Sequence, residues 1–406
     1  MHFAGTRPDR EPVPAGTHLF LLLQGWQDSE VHLRDTAGSE EYSGSGKQQL
    51  NEGPRLNKKM NCRPKTLATL VSLLIFSAPA VSADSGMTGS AFGEAVQRAG
   101  EMDRIRSLLI SRNGELVVEE YFNGMTPQRT ANVKSVSKSI LSALVGIAIE
   151  QGHLQSLDQP ISDFYGERLA AEPAKGAITI GNLLSMQAGL ETTSFYNFGA
   201  WVLSDDWVGF ALNQPFRAEP GTRMLYSTGN THLLSAILTQ ATGKSTLAFA
   251  RDALGEPLGI RVQPWTQDPD GIYFGGNNME FTPRQMLAIG ELYMNEGQAN
   301  GRQVIPEDWI ETSLTPVVRS SRNTERQYGY GWWMRDMAGL PTVYAWGYGG
   351  QFILLVRDLD LVVVTTSSSQ PGDTRRRHTR ELYNLLEFTV VQPAVSSAGD
   401  DELPAG

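Results

Sequence analysis

The pairing in this chain best suited to covalent chemistry is a hydroxyl and an amine three residues apart, Ser135 and Lys138. They head residues 140–149, a run in which Ala, Leu, Ile and Val fill nearly every position. Such a run favours a helix with no polar face, which must lie inside the protein. Residues three apart on its first turn share a side, so the Lys138 amine stands beside the Ser135 hydroxyl. An apolar surround and the positive end of the helix dipole both disfavour an ammonium. The expectation is a Lys138 pKa drawn toward neutrality, with a lone pair able to take the Ser135 proton. The backbone N–H of Ser135, at the helix start, is then placed to hold a developing oxyanion. The plain alternative is a Ser and a Lys that happen to share a solvated turn. Against it, no other Lys in the chain has Ser three residues before it.

The elements that must position this pair are readable around it. The helix stops at Glu150-Gln151-Gly152, where glycine supplies the left-handed cap. Residues 105–111 and 115–122 read as two strands around Asn113-Gly114, the strongest short hairpin signal. From 157 to about 315 the character is mainly helical, with loops such as Leu157-Asp158-Gln159-Pro160 and Thr282-Pro283-Arg284-Gln285-Met286. Strand character returns at 328–334, 352–356 and 361–366, before a last amphipathic helix around 378–388. Strands at both ends with helices between predict an α/β (α+β) fold. It would hold one antiparallel sheet, flanked by helices and closed by both ends of the domain, with a helical region inserted at about 150–315.

The chain has 406 residues, 40% hydrophobic content and a net charge of −10, which excludes disorder throughout and gives no basic stripe for nucleic acid. Residues 1–59 are polar and aperiodic apart from a short apolar stretch at 19–23. Met60 then opens a different pattern: Arg63 and Lys65, an apolar core at 67–76, and Val81-Ser82-Ala83 before Asp84. That is the layout of a secretory signal peptide. The expectation is translation from Met60, residues 1–59 as an upstream artefact of start-site choice, a leader at 60–83, and a single catalytic domain at 84–406 that is secreted or periplasmic. A genuine N-terminal extension is the alternative. The apolar core is far short of the ~20 residues a bilayer span needs, so no stable membrane insertion is expected after cleavage. The one cysteine, Cys62, falls in the leader, which removes disulfides and thiolate chemistry from the mature chain. His153, His232 and His378 lack zinc-site spacing, so neither metal nor cofactor is expected.

Taken together, the Ser-x-x-Lys helix after a hairpin, the Leu157-Asp158-Gln159-Pro160-Ile161 turn, Ile178-Thr179-Ile180-Gly181-Asn182-Leu183-Leu184, and Pro220-Gly221 followed by Tyr226-Ser227 resemble serine β-lactamases and penicillin-binding relatives of the class C type. The closing Gly347-Tyr348-Gly349-Gly350-Gln351 resembles the branch that includes 6-aminohexanoate-dimer (nylon oligomer) hydrolases and related esterases. The resemblance spans about 105–388. It implies that Ser135 is the acylated nucleophile and Lys138 its proton acceptor. Tyr226 would relay a proton to the leaving group, its phenol made more acidic by neighbouring positive charge so that Tyr226 and Lys138 share one proton. The N–H of Tyr348 would complete the oxyanion hole opposite Ser135.

Two positions depart from the pattern. Where penicillin-active members carry Lys or His on the strand lining the site, this chain reads Ala345-Trp346-Gly347, and Thr228 stands where β-lactamases have Asn. The lost cation should cost roughly 1.5–3 kcal/mol in carboxylate binding. Acyl transfer is kept while β-lactam recognition is eroded. Trp346 and Gly347 are expected beside the nucleophile with Thr228, whereas Trp201, Trp207, Trp332 and Trp333 read mainly as core. His232 reads as a structural histidine. Asp205-Asp206 could meet a substrate amine, but Ser204-Asp205-Asp206 reads better as a helix cap. The expected activity is a secreted serine hydrolase that cleaves small-molecule esters or linear amides through an acyl-enzyme. A class C β-lactamase or D-alanyl-D-alanine carboxypeptidase is the alternative within that class, and a non-catalytic binding protein the alternative outside it. Oligomeric state is not legible.

Overall fold

Asn113 and Gly114 both take positive φ, 52° and 75°, the backbone of a two-residue hairpin whose twist matches its strands. They join β1 (Ile105–Arg112) to β2 (Glu115–Tyr121), much as the sequence predicts. The computed structural model describes residues 91–401; the extension read at 1–59 and the leader read at 60–83 lie outside the described residues. Ahead of the hairpin, α1 (Gly93–Gly100) occupies a stretch for which no helix is expected from its pattern. After a short strand, β3 (Ala131–Asn132), the chain makes a single 3-10 turn, Lys134–Val136, and enters α2 (Ser137–Glu150). Every residue of α2 from Ser137 to Ala148 is buried, as its lack of a polar face demands. It ends as a Schellman motif: Gly152 at φ 72° donates to Ile149 O, and His153 donates to Ala148 O.

The inserted region holds α3 (Ile180–Leu184), α4 (Trp207–Leu212), α5 (Thr228–Thr242), a two-residue strand β4 (Glu280–Phe281) paired with β3, and α6 (Pro283–Met294). Thr179 and Thr282 start α3 and α6 with full capping boxes, completed by Asn182 and Gln285. The chain then returns to the sheet through β5 (Val318–Arg319), β6 (Gln327–Tyr328), β7 (Trp333–Met337), β8 (Leu340–Gly347), β9 (Gln351–Val356) and β10 (Leu361–Ser367). The eight strands lie in the order β2-β1-β10-β9-β8-β7-β6-β5 and every pairing is antiparallel. Because β1 pairs with β10, from Ile105 opposite Ser367 to Arg112 opposite Leu361, the two ends of the domain close the sheet as expected.

Strand alternation divides the core. Leu109, Ile353, Leu355, Val362 and Val364 point to the layer that contains α2 and α6. Leu108, Ile110, Phe352, Leu354 and Val363 point the other way, onto α1 and the C-terminal helix α7 (Arg375–Asn384), which runs on without a break to Asp401. Covered on both faces, the central strands are apolar at nearly every position. The strand expected at 328–334 is split in two. Ser139 Oγ donates to Gly331 O at 2.7 Å and Ser142 Oγ to Tyr330 O at 2.6 Å, which draws the intervening loop onto α2. Among the described residues, no helix is long and apolar enough to cross a membrane.

Candidate active site

Lys138 is the functional centre of gravity. Its side chain is 1% exposed, and its Nζ lies 3.2 Å from Ser135 Oγ, 3.3 Å from Thr228 Oγ1 and 2.7 Å from Gly276 O. Burial lowers its pKa from the ordinary 10.5 to about 7. Thr228 is the first residue of α5, so the positive end of a second helix also faces the amine. The polar partners fit the neutral form. Gly276 O can only accept, and the Thr228 hydroxyl can accept from Lys138 while it donates to Ser194 Oγ at 2.8 Å. An uncharged amine has two N–H groups for those two acceptors and one lone pair, which is left for the Ser135 hydroxyl.

The inserted region supports this arrangement from behind. Ser194 Oγ also accepts from Thr228 N at 2.6 Å, Thr193 Oγ1 accepts from Gly229 N, and Thr192 Oγ1 donates to Tyr226 O. Three consecutive hydroxyls of residues 192–194 thus hold the segment that carries Tyr226 and Thr228. Gly276 reaches Lys138 only because it lacks a side chain. It sits at φ 76°, and a Cβ there would lie 2.3 Å from Thr231 Oγ1 and 2.7 Å from Lys138 Cγ.

Tyr226 stands over the same pair: Lys138 Nζ is 5.2 Å from the centre of its ring, and its hydroxyl hydrogen-bonds Ser135. Its acidity corrects the sequence expectation. Burial pushes the phenol well above its ordinary value, with the Ser135 hydrogen bond opposing. A lysine held near neutrality supplies little positive charge to acidify a neighbour, while the low dielectric that suppresses the ammonium suppresses the phenolate too. Tyr226 therefore stays protonated and can donate. Trp333 stacks on it, 5.8 Å between centroids and 24° between planes.

Gly347, the last residue of β8, abuts the turn that carries the nucleophile, since a Cβ there would fall 2.2 Å from Val133 O. This brings the following residue, Tyr348, to the edge of the site. The Tyr348 ring itself turns away and lies 4.5 Å under the Arg375 guanidinium. Trp346 corrects the expectation. It lies opposite Phe352 in the β8–β9 register and packs with it in the layer facing α1 and α7, on the far side of the sheet from Ser135. Ala345 and Gly347 face the nucleophile side, so the residue between them cannot.

Trp201, Trp207 and Trp332 are buried. The first two enclose His232, which is itself fully buried, with Nε2 2.9 Å from Asp268 Oδ2 and Nδ1 accepting from Gly275 N. That role is structural. Asp206 caps α4 by accepting from Gly209 N at 2.7 Å, and pairs with Arg168 at 3.0 Å.

Three neighbours are not singled out from sequence, Gly276, Ser194 and Lys134, while Trp333, read mainly as core, stacks on Tyr226 at the site. Lys134 directly precedes the nucleophile at φ 52°, and burial lowers its amine to about 8, with Glu280 opposing. The adjacent Gly275-Gly276 pair was the one visible signal of a close backbone approach. Among the described residues, no group of three or more His, Cys, Asp or Glu is placed to hold a metal ion.

Comparison with known proteins bears on the family and the fold. Residues 95–387 match the family model described as Beta-lactamase. The chain is 25% identical over 313 residues to a 6-aminohexanoate-dimer hydrolase of Paenarthrobacter ureafaciens, covering 71% of this chain and 79% of that one. Among solved structures it resembles a class C beta-lactamase from Rhodobacter sphaeroides, with TM-score 0.56, 17% identity, and coverage of 73% of this chain and 98% of the other. It also resembles EstCE1, a hydrolase with promiscuous acyltransferase activity, with TM-score 0.60, 17% identity, and coverage of 74% and 100%.

Proposed function

The chain belongs to the beta-lactamase family of serine hydrolases, and from that premise we propose that it cleaves small esters or linear amides through an acyl-enzyme on Ser135. The observation that carries the reading is the placement of Lys138: a buried amine, its pKa lowered to about 7 by burial, with Nζ 3.2 Å from Ser135 Oγ and with Thr228 Oγ1 and Gly276 O able to take its two N–H groups when it is neutral. In this mechanism Lys138 takes the hydroxyl proton as Oγ attacks the carbonyl carbon. The N–H groups of Ser135 and Tyr348 hold the oxyanion. Tyr226, protonated and in contact with Ser135, gives its proton to the departing alkoxide or amine and recovers one from Lys138. Water then hydrolyses the acyl-enzyme by the reverse relay.

Two features favour esters and linear amides over β-lactams. Ala345 leaves no cation on β8 at the edge of the site, and Thr228 is already engaged by Lys138 and Ser194, so it offers no amide group to a substrate. The similarity to a 6-aminohexanoate-dimer hydrolase points the same way. The leader at 60–83 makes secretion or a periplasmic location part of the proposal.

The test compares kcat/KM for a p-nitrophenyl ester, a linear aminohexanoate amide and a chromogenic cephalosporin on one preparation, with mass spectrometry after a fluorophosphonate probe. Ester and amide values well above the cephalosporin value, with the adduct on Ser135, are expected. A cephalosporin value equal to or above the others would replace this reading with a true β-lactamase. Absence of both turnover and adduct would leave a binding protein on the same scaffold.

A further inference from the structure

Two loops flank the segment that carries Tyr226. On one side, residues 192–194 hold it through their hydroxyls, with Ser194 Oγ on Thr228 and Thr228 Oγ1 on Lys138 Nζ. The next residue is Phe195. On the other side, the turn between β5 and β6 is tied down by Ser321 Oγ, which donates to Met224 O, two residues before Tyr226. The next residue there is Arg322. The two loops meet in one contact: the Arg322 guanidinium carbon lies 3.7 Å from the centre of the Phe195 ring.

This arginine differs from its neighbours. Arg217 is committed to Glu191, which also accepts from Tyr196, and Arg319 donates to Thr324 O. Arg322 is exposed, and among the described residues its guanidinium meets neither a carboxylate nor any other hydrogen-bond acceptor. Glu325, three residues on in the same loop, forms no ion pair with it. Stacking on an aromatic ring fixes the plane of a guanidinium while leaving its N–H edge directed outward, the geometry that receives a carboxylate bidentately. The stack also removes much of the rotamer entropy that a long side chain would otherwise lose on binding. An overall charge of −10 makes a fixed, uncompensated cation where these two loops meet the more distinctive.

We propose that Arg322, laid over Phe195 at the rim of the Ser135 cleft, anchors a carboxylate on the substrate, so that the preferred substrates are monoanionic, with the carboxylate at the end of an acyl or amide chain remote from the scissile carbonyl. The inference rests on the acyl-enzyme reading and narrows it to a substrate class. An ω-carboxyl chain is the chemistry that fits: its apolar middle crosses the Tyr226 and Trp333 rings while its charged end meets the guanidinium.

The experiment sets p-nitrophenyl monoesters of succinate, glutarate, adipate and suberate against neutral p-nitrophenyl esters of matched chain length. It uses the native enzyme, Arg322→Ala, Arg322→Lys and Phe195→Leu. The native enzyme should favour an anionic ester at one chain length, and that preference should fall as salt is raised. In Arg322→Ala the ratio of anionic to neutral kcat/KM should drop about tenfold, mostly through KM. Arg322→Lys should recover part of it, because an ammonium keeps the charge but not the fork. Phe195→Leu should weaken the preference with Arg322 still present. If the stack serves only to hold the loops together, anionic and neutral esters will suffer equally in all three variants, and the proposal is overturned.

A second arm separates this outcome from failure of the hydrolase reading. Calorimetric binding of 6-acetamidohexanoate and of its uncharged N-methyl amide is compared in Ser135→Ala protein with and without Arg322→Ala. Tighter binding of the anion that depends on Arg322 supports the anchor whatever the turnover. Equal binding of the two probes refutes it.

Discussion

Replacing Lys138 with Met should destroy acylation and stabilise the fold. The native amine is 1% exposed, and its pKa falls from 10.5 to about 7 because burial penalises the ammonium. That difference equals a cost to the folded state of about 5 kcal/mol where both states are protonated, and slightly less at pH 7. The sign follows from proton counts. Well below pH 7 both states hold the proton and the full cost applies. Between about 7 and 10.5 the unfolded chain binds a proton that the folded chain does not, so native stability rises with pH through that window. Methionine has similar length and no charge to desolvate, but it leaves Gly276 O without its donor, which returns about 1–3 kcal/mol of the gain. The expected net is a variant about 2–4 kcal/mol more stable than native at pH 7, with the gap shrinking by about 1.4 kcal/mol per pH unit above that. Urea unfolding at pH 6, 7, 8 and 9 measures it, provided the dependence on denaturant is the same in both proteins. A gap that stays constant from pH 7 to 9, or a native protein that is the more stable at pH 7, would refute the shifted pKa and with it the neutral base.

Ser135→Ala should abolish the fluorophosphonate adduct and lower turnover by several orders of magnitude with little change in melting temperature; labelling that persists means another residue is the nucleophile. His378 is buried against Ser367 Oγ at 3.0 Å, and burial, helped by Arg104 and Arg106, lowers its pKa from 6.5 to about 4. The folded state therefore resists a proton that the unfolded chain accepts, and stability should fall by about 2–3 kcal/mol as pH drops through that window. In His378→Gln this part of the loss should be absent, read from urea midpoints at pH 4.5 and 7; an unchanged pH dependence would contradict the assignment. Secreted protein should begin at Asp84 on N-terminal sequencing, and a product that retains residues before Met60 would refute both the start site and the export proposal.

What could be read from the sequence followed the range of the interactions involved. Asn113-Gly114 fixes a hairpin through its own two backbones, and α2 declares its burial through composition alone. β8 did not declare itself. Its Leu-Pro-Thr start and exposed Pro341 give no clean alternation, and it is a strand because β7 and β9 pair with it on both sides. The loop at 329–332 breaks what the sequence suggested was one strand because two serines of α2, some 190 residues earlier, take its carbonyls. Trp346 was assigned to the wrong face for a different reason. Motif position alone ignores that a strand alternates, and once Ala345 and Gly347 face the nucleophile the residue between them must face away.

The site shows the same division between local and distant causes. Ser135 and Lys138 meet through helix geometry, so their spacing alone was sufficient to place them together. The protonation states of Lys138 and Tyr226 depend on what buries them jointly. Gly276 and Thr228 lie 138 and 90 residues from the lysine they contact, and the carbonyl of one and hydroxyl of the other can take both N–H groups of the neutral amine that burial favours. The apolar enclosure that costs Lys138 its proton makes Tyr226 hold on to its own. Two groups that in water differ little in pKa, 10.5 and 10.0, are thereby driven apart, one down to about 7 where it can accept a proton and the other upward so that it keeps one to give. Since a single environment produces both shifts, a substitution that lets water onto Lys138 should erode base and acid together. The rising and falling limbs of the pH–rate profile would then draw toward each other instead of one moving alone.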